Sequence, residues 1–268
     1  MRFHSPLLLL SLGACSLPGL TSPRFYLEPQ WSLLELRGDT SMQSTSSGSV
    51  VDNPAIDARE FGLDHHAGNW GLKVSVGDDF SGFDASYLNV ENTNTRRGTL
   101  PADWGDMRTG DRALMNVTGD EWRLAYFGEV WDTEIKRDVT LRVAPGLALT
   151  HRDLKLEAKE ETSSTRRQVV HIAEEVTPYA ALRVRVAWRN FDLDVDYGIN
   201  PDLHFGGDYD GVMQDYEVRG RYRLEDQDLA FVAGYRHSDI TASGSEGGLR
   251  WETDFAFEGW FFGVRFGF

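Results

Sequence analysis

The last ten residues, Gly259 to Phe268, read GWFFGVRFGF and contain two alternating rows of side chains. The first row consists of Trp260, Phe262, Val264, Phe266 and Phe268. The second row consists of Gly259, Phe261, Gly263, Arg265 and Gly267. A two-residue period predicts a β-strand whose two faces meet different surroundings. A chain with a formal net charge of −15 therefore ends on five large apolar side chains along one face of a strand.

This ending resembles the closing strand of bacterial outer-membrane β-barrels. In those proteins a C-terminal Phe and apolar residues at alternate positions are read by the barrel assembly machinery. The resemblance implies a Gram-negative source, and it implies outer-membrane lipid, lipopolysaccharide and that machinery as partners. It also implies that the assembly signal of this chain consists of Trp260, Phe262, Val264, Phe266 and Phe268.

The first residues, MRFHSPLLLLSLGACS, are typical of an export signal. Arg2 supplies the positive charge, and the apolar run from Leu7 to Leu12 is too short to span a bilayer. Leu12-Gly13-Ala14-Cys15 resembles a bacterial lipobox, in which the cysteine is acylated, and ordinary cleavage near this point is the alternative. Cys15 is the single cysteine, so that an intrachain disulfide is excluded. We predict a signal peptide over 1–15, a short periplasmic linker over 16–24 and one domain over 25–268.

Composition agrees with a membrane barrel. The mean hydropathy is −0.40, which argues against a helical membrane protein. Barrel strands are apolar on one face only, so that their average hydropathy resembles that of soluble proteins. The excess of acidic residues argues against nucleic acid as a partner, since nucleic-acid-binding proteins need cations for phosphates.

Ten segments of the chain alternate in this way, and the spacers between them alternate between long and short. Short spacers lie near 77–82, 132–138, 189–190 and 225–228, and long spacers lie near 38–69, 91–120, 159–177, 199–213 and 242–248. Short periplasmic turns and long extracellular loops are typical of outer-membrane barrels. We therefore predict an all-β, transmembrane, antiparallel up-and-down barrel of about ten strands, with eight or twelve as alternatives. An even number places both termini in the periplasm.

Two irregularities complicate this pattern. Pro145-Gly146 falls within a strand, and we predict a bulge there because proline cannot donate to the ladder. In the last strand Trp251, Phe255 and Phe257 are out of phase with the terminal row. A bulge near 258–259 would bring both sets onto one lipid-facing side. The polar row of Arg250, Glu252 and Asp254 would then face the lumen.

The rows opposite the apolar ones carry charge and are predicted to line the lumen. They comprise Arg183, Arg185, Asp192, Asp194, Asp196, Glu217, Arg219, Arg221, Arg223 and Arg236. A ladder of ion pairs that fills a narrow barrel is favoured over an open pore, because barrels of this size are filled by side chains.

The turn at Arg189-Asn190 fixes one register for the two strands that it joins. It predicts Arg185 opposite Asp194 and Arg183 opposite Asp196, because a slip of one residue would send charges into lipid. On the apolar face, the same register sets Trp188 opposite Phe191 and Val186 opposite Leu193. In the next hairpin, Leu224 opposite Leu229 sets Glu217 opposite Arg236.

Catalytic motifs are weak. The omptin proteases are ten-stranded outer-membrane barrels that use an Asp pair facing an Asp–His pair, and this chain has Asp64-His65-His66 and His237-Ser238-Asp239. Neither stretch reproduces the omptin motifs, so no catalytic residue is assigned. Barrel lipases and lipid A deacylases use His-x-Ser, which the directly adjacent His237 and Ser238 do not match.

We expect no metal ion and no cofactor. The histidines near the outer strand ends have no recognised ligand spacing, namely His66, His151, His171, His204 and His237. The stretch from Asp208 to Gly211 has only part of a calcium loop. Arg96-Arg97 and Arg166-Arg167 are candidate contacts for lipopolysaccharide phosphates, with solvated loop charge as the alternative.

The long loops are rich in small polar residues, and we expect them to be mobile, with little to bury. The function that follows is a non-enzymatic outer-membrane barrel with a charge-filled lumen and a structural or binding role through its extracellular loops. A narrow passive channel for small solutes is the alternative, and an outer-membrane hydrolase is the third hypothesis.

Overall fold

A computed structural model gives the fold of residues 23–63, 66–93, 98–160, 167–203, 205, 208, 211–224 and 228–268. Ten long antiparallel strands form a closed ring. The strands of the ring are β1 (Arg24–Met42), β5 (Ala67–Gly77), β6 (Gly82–Thr93), β8 (Arg112–Phe127), β10 (Val139–Glu160), β11 (Arg167–Trp188), β12 (Phe191–Asn200), β13 (Met213–Arg223), β14 (Leu229–Glu246) and β15 (Leu249–Gly267). The ring closes between β1 and β15, and each other strand pairs with its neighbours in chain order. The predicted fold and strand number are confirmed.

The connections between the ring strands contain short elements. They are β2 (Ser44–Ser46), β3 (Ser49–Val51), β4 (Ile56–Asp57), β7 (Gly98–Thr99), β9 (Trp131–Lys136) and one turn of 3₁₀ helix over Ala58–Phe61. We call the end of the barrel with both chain termini and the short turns the turn end, and the opposite end the loop end. Among the described residues, no helix has the length and apolarity needed to cross a membrane.

A belt of exposed apolar side chains surrounds the half of the barrel near the turn end. Its rims are aromatic: Trp70, Tyr87 and Trp122 form contacting rings on neighbouring strands at the upper rim. Phe25 and Phe268 lie in contact at the lower rim, where the chain begins and ends. An outward apolar band between two aromatic girdles is the form that a bilayer imposes on a barrel.

Above this belt the polarity of the barrel wall inverts. Trp251, Phe255 and Phe257 point inward and are buried, whereas Trp260 points outward. The register between β1 and β15 is continuous through Leu34–Gly259, so the predicted bulge is absent. Gly259 is needed for close approach, because a Cβ atom there would lie 1.9 Å from the Leu33 carbonyl oxygen.

The prediction that these three aromatic residues face lipid, and that their polar neighbours face the lumen, was therefore wrong. Arg250, Glu252 and Asp254 are exposed on the outside. The physical reason is that the solvent on each side of the wall changes along the strand. Near the turn end the outside is apolar, and beyond the upper rim the outside is water, so the apolar row moves to the interior without any change in the strand.

The loop end of the barrel has a packed apolar interior. One wall, formed by β1, β14 and β15, contributes Leu36, Met42, Ile240, Trp251, Phe255 and Phe257. The facing wall, formed by β8, β10 and β11, contributes Met115, Val117, Leu154, Leu156, Val170 and Ile172. Two connecting segments complete this core with Ile56, Phe61, Leu63, Leu100, Trp104 and Met107. The expectation that the first two long loops have little to bury was wrong.

The strand β10 is continuous across from β11 at Pro145 and Gly146, so the bulge predicted there is not found. The register shifts instead between Arg152 and Leu154. Pro145 lies where the other neighbour of β10 changes from β8 to β9, a discontinuity that accommodates a residue without an N–H. The spacer predicted near 132–138 is mostly β9, and its turn consists of Arg137 and Asp138.

Candidate functional site

The membrane-belt interior is built around the pairing of β11 with β12. Arg185 lies opposite Asp194 and Arg183 opposite Asp196, while Trp188 lies opposite Phe191 on the outer face. The Arg185 Nε donates to Asp194 Oδ1 at 2.5 Å, and Arg183 holds Asp196 through two hydrogen bonds of 2.7 Å. The predicted register is confirmed. In the turn, Arg189 rather than Asn190 adopts the positive φ, at 53°.

The same ladder continues across β13 and β14. Arg221 lies 3.3 Å from Asp192, and Arg223 lies 3.0 Å from the other oxygen of that carboxylate. Glu217 lies opposite Arg236, as predicted, at 3.1 Å, and it also binds Arg219. All ten predicted lumen residues lie on the inner face, where only Arg223 is substantially exposed at the turn end.

Charged residues on β1, β5 and β6 complete the ladder on the opposite side of the lumen. The sequence analysis did not assign them to the lumen. Lys73 pairs with Asp84 at 3.0 Å, and Asp84 also accepts from Arg183 at 2.7 Å. Glu28 lies 3.5 Å from Arg219 across the lumen. Lys73, Asp84 and Glu28 are each an isolated charge within an apolar strand. Their positions alternate with the lipid-facing residues, and this alternation could have assigned them to the lumen from the sequence.

The turn between β5 and β6 folds back into the barrel and closes the turn end. Phe80 is buried, and the guanidinium groups of Arg142 and Arg185 lie 4.6 and 4.8 Å from its ring centroid. Arg183 and Arg185 donate to the backbone carbonyls of Phe80 and Asp79 at 3.0 and 2.7 Å. The four-residue connection 78–81, which the sequence predicted only as a turn, is therefore part of the filling of the lumen.

A buried Arg152 joins the charged ladder to the apolar core above it. Its guanidinium donates to Glu121 at 2.6 Å and to Asp215 at 3.2 Å, and it reaches the Tyr179 hydroxyl at 3.1 Å. Ser238 also donates to Asp215, at 2.6 Å. The described interior is thus filled in succession by the turn, the ladder, this node and the apolar core. A cavity of about 80 Å³ lies among the charged side chains of the ladder.

A cationic cluster lies on the outer surface of the loop end. Lys155, Lys159 and Arg167 surround Glu157 with nitrogen–oxygen distances of 3.1, 2.5 and 2.8 Å. Burial by itself would raise the pKa of the Glu157 carboxyl, but hydrogen bonds from Arg167, Lys159 and Lys155 lower it to about 2. This cluster carries an excess of positive charge on a protein that is acidic overall.

Those candidate catalytic and metal residues that the structure describes are not brought together across an open cleft. His237 faces outward and lies between Asp239, at 2.8 Å, and Glu258, at 3.3 Å. His66 is exposed beside Glu35 at 3.7 Å. In the part of the chain that the structure describes, no group of three or more His, Cys, Asp or Glu side chains is arranged as a metal site.

Several predicted residues lie outside the described residues. They are Cys15, Asp64, His65, Arg96, Arg97, Arg166 and His204. The lipidation prediction and most of the predicted lipopolysaccharide contacts therefore remain predictions. In the closing strand, the side chains of Trp260, Phe262 and Phe268 are exposed on the outer face.

Comparison with solved structures gives the class of this fold. The outer-membrane protease OmpT of Escherichia coli superposes with a TM-score of 0.54 at 11% identity, over 94% of this chain and 99% of that one. The fold is that of the outer-membrane β-barrels. Neisserial surface protein A covers 91% of this chain with a TM-score of 0.33 at 10% identity, and 97% of its own chain is covered. The Pseudomonas putida toluene transporter TodX gives a TM-score of 0.31 at 8% identity, over 91% of this chain and 90% of that one.

The sequence matches no protein-family model, and it matches no curated protein. An identity of 11% supports a shared fold and no more. The activity named for OmpT is therefore a property of that protein, and a function for this chain has to be argued from its own residues.

Proposed function

We propose that this protein is a non-conducting barrel of the bacterial outer membrane that anchors a rigid extracellular platform with a structural or binding role. One observation carries the proposal: beyond a cavity that opens at the turn end, side chains fill the described interior as far as the loop end. Charged pairs fill the membrane half, and apolar side chains fill the half beyond it. A barrel that serves as a conduit needs an open bore.

In this proposal the loop end faces outward from the cell and both chain termini are periplasmic. The loop lengths support the orientation, because outer-membrane barrels have short periplasmic turns and longer extracellular loops, and the long connecting segments with their apolar core lie at the loop end. Residues 1–15 then serve as the export signal, with Cys15 acylated. The exposed terminal row from Trp260 to Phe268 then serves as the assembly signal.

The cationic cluster around Glu157 is the proposed contact for lipopolysaccharide phosphates. It lies above the upper aromatic rim, because His151 pairs with Trp122 of that rim and Lys155 lies four residues further along β10 towards the loop end. Arg and Lys bind phosphate through charge-assisted hydrogen bonds. Three cations around one carboxylate leave donors free for such a ligand.

The platform does not support the hydrolase hypothesis. The space between the two walls of the loop end is occupied by Phe257, Trp251, Leu156 and Ile172, where a substrate would need to enter. The four histidines that the structure describes lie on the outer surface, apart from that space. We therefore propose no catalytic residue.

The orientation is tested with single cysteines at two matched positions. Ser47 and Asp138 both occupy hairpin tips, are exposed and adopt positive φ values of 51° and 67°, Ser47 at the loop end and Asp138 at the turn end. A membrane-impermeant maleimide added to intact cells is expected to label Ser47→Cys and to spare Asp138→Cys. Lysed cells label both, and the parent protein, whose single cysteine Cys15 is acylated in this proposal, gives the background. Labelling of Asp138→Cys alone on intact cells would contradict the proposal.

A further inference from the structure

Arg265 is a buried cation whose guanidinium forms no ion pair with any carboxylate of the described residues. Its side chain lies on the inner face of β15, and the residue is 8% exposed. Its guanidinium carbon lies 3.9 Å from the ring centroid of Tyr26, which covers one face of the group. Among the residues that the structure describes, no carboxylate lies within ion-pair distance of Arg265. This differs from the neighbouring arginines of the ladder, each of which has a carboxylate partner.

The nearby carboxylates are already engaged. Glu28 accepts from Gln30 at 2.7 Å and pairs with Arg219. Asp79 lies 3.1 Å from Arg185 and 3.2 Å from Arg142. No carboxylate is therefore left over for Arg265, and burying an unpaired guanidinium is unfavourable unless another anion approaches it.

A cavity of about 290 Å³ opens beside Arg265 at the turn end. Three more arginines line it, Arg24, Arg221 and Arg223, together with Tyr26. The lining acids are Asp78, Asp79 and Asp228, of which Asp228 is paired with Arg24 at 3.3 Å. The Nε of Arg221 is buried and has no hydrogen-bond partner, so a second arginine of this cavity has an unused donor.

We propose that this cavity is a binding site for a small oxyanion, a phosphate or carboxylate group that enters from water at the turn end and pairs with Arg265. Guanidinium presents parallel N–H donors that match two oxygens of such a group. The volume is larger than a phosphate group alone, so part of the molecule that carries it also fits. Arg223 and Arg24, which are partly exposed, lie on the path of entry.

The test uses the full-length protein refolded in a detergent that has no phosphate or carboxylate group. Inorganic phosphate is followed by ³¹P NMR as protein is added, and its line is expected to broaden saturably. Arg265→Met is expected to abolish the broadening, and Arg265→Lys to retain part of it. Arg189→Met is the matched control, because Arg189 is a turn-end arginine outside the cavity, and it should bind as the wild type does.

Stability provides a second, independent readout. At equal ionic strength, phosphate should raise the urea midpoint of the wild type more than chloride does, and acetate shows whether a carboxylate suffices. Without phosphate, Arg265→Met should unfold at the same or a higher urea concentration, since an unpaired charge is removed. Phosphatidylglycerol vesicles that restore the line of inorganic phosphate to its free width would identify a lipid phosphate as the ligand, and a line that stays broad in their presence would identify the free ion.

Absence of saturable broadening in the wild type would overturn the proposal, even if Arg265→Met fails to fold. Unchanged phosphate binding by Arg265→Met would overturn it as well. A shift of the urea midpoint that is equal in phosphate and in chloride would identify general screening and contradict a specific site.

Discussion

Phe257 and Trp260 lie three residues apart on one uninterrupted strand, yet Phe257 is buried in the interior of the barrel and Trp260 is exposed on its outer face. The upper rim of the membrane belt lies between them. Below it, apolar side chains cover the outside and charges fill the inside; above it the arrangement is reversed. One strand thus serves as the wall of a membrane protein and as the wall of a water-surrounded domain.

Removal of Asp194 should strongly destabilise the barrel. Asp194 accepts from Arg185 and lies 3.4 Å from Arg221, so Asp194→Ala leaves two buried guanidinium groups with a lost partner. Breaking a buried ion pair in this way costs about 3–5 kcal/mol. Urea unfolding in lipid vesicles measures the loss. Glu134→Ala, which removes an exposed carboxylate of β9, is the control and should change stability by less than about 0.5 kcal/mol.

Truncation of a large side chain in the loop-end core should destabilise that core and leave the membrane belt folded. Phe61 is fully buried and its ring packs edge-on against Trp104 at 5.7 Å. Phe61→Ala should cost about 3–5 kcal/mol of loop-end stability, because a large cavity replaces the ring. Hydrogen exchange should show faster exchange over 56–63 and 98–107 and unchanged protection in β12. Val50→Ala, at an exposed hairpin position, should leave both unchanged.

Acid should weaken the cluster around Glu157 in a defined pH window. The pKa of Glu157 is about 2 in the folded protein against an ordinary value of 4.5. A lowered folded-state pKa means that this contribution is complete above about pH 4.5 and is lost as the pH falls towards 2. We expect a loss of about 1–2 kcal/mol over that window, since the surrounding cations are partly exposed.

Glu157→Gln should not show this loss of stability between pH 4.5 and 2, and it should be less stable than the wild type at pH 7. Unfolding at a series of pH values between 2 and 7 gives the comparison. An equal slope in both proteins would show that Glu157 does not carry the pH dependence.

The Asp79–Phe80 turn should act as the closure of the turn end. Phe80 is held by two guanidinium groups, and Phe80→Ala removes the ring between them. The ladder above is expected to stay folded, because its ion pairs do not depend on the ring. Solvent access from the turn end should therefore increase. Ser75→Cys should react faster with a small methanethiosulfonate reagent when it is combined with Phe80→Ala than when it is the only substitution.

The sequence predicted the membrane half well because two independent constraints act there. Lipid outside and charges inside restrict each strand to one face, and together with the two-residue turn at Arg189-Asn190 they predicted the pairing of Arg183 with Asp196. The number of strands followed from the alternation of long and short spacers.

The loop end was not predicted, for a physical reason. Wall strands above the membrane are surrounded by water and face a core, so their alternation has the opposite sense, and Trp251 and Phe255 were assigned to the wrong face. The core residues of the connecting segments, such as Ile56 and Leu100, are isolated apolar residues among polar ones, a pattern that does not reveal burial. The inward fold of Phe80 depends on long-range contacts with Arg142 and Arg185.

Conductance across a planar lipid bilayer tests the filled barrel most directly. The full-length protein, refolded and inserted, is compared with Arg185→Ala/Phe80→Ala, which removes two side chains of the filling that contact each other. A filled barrel should give no single-channel steps at either polarity, and the folded double variant should give leak currents. Steady, reproducible steps from the wild type would show that the barrel has an open bore.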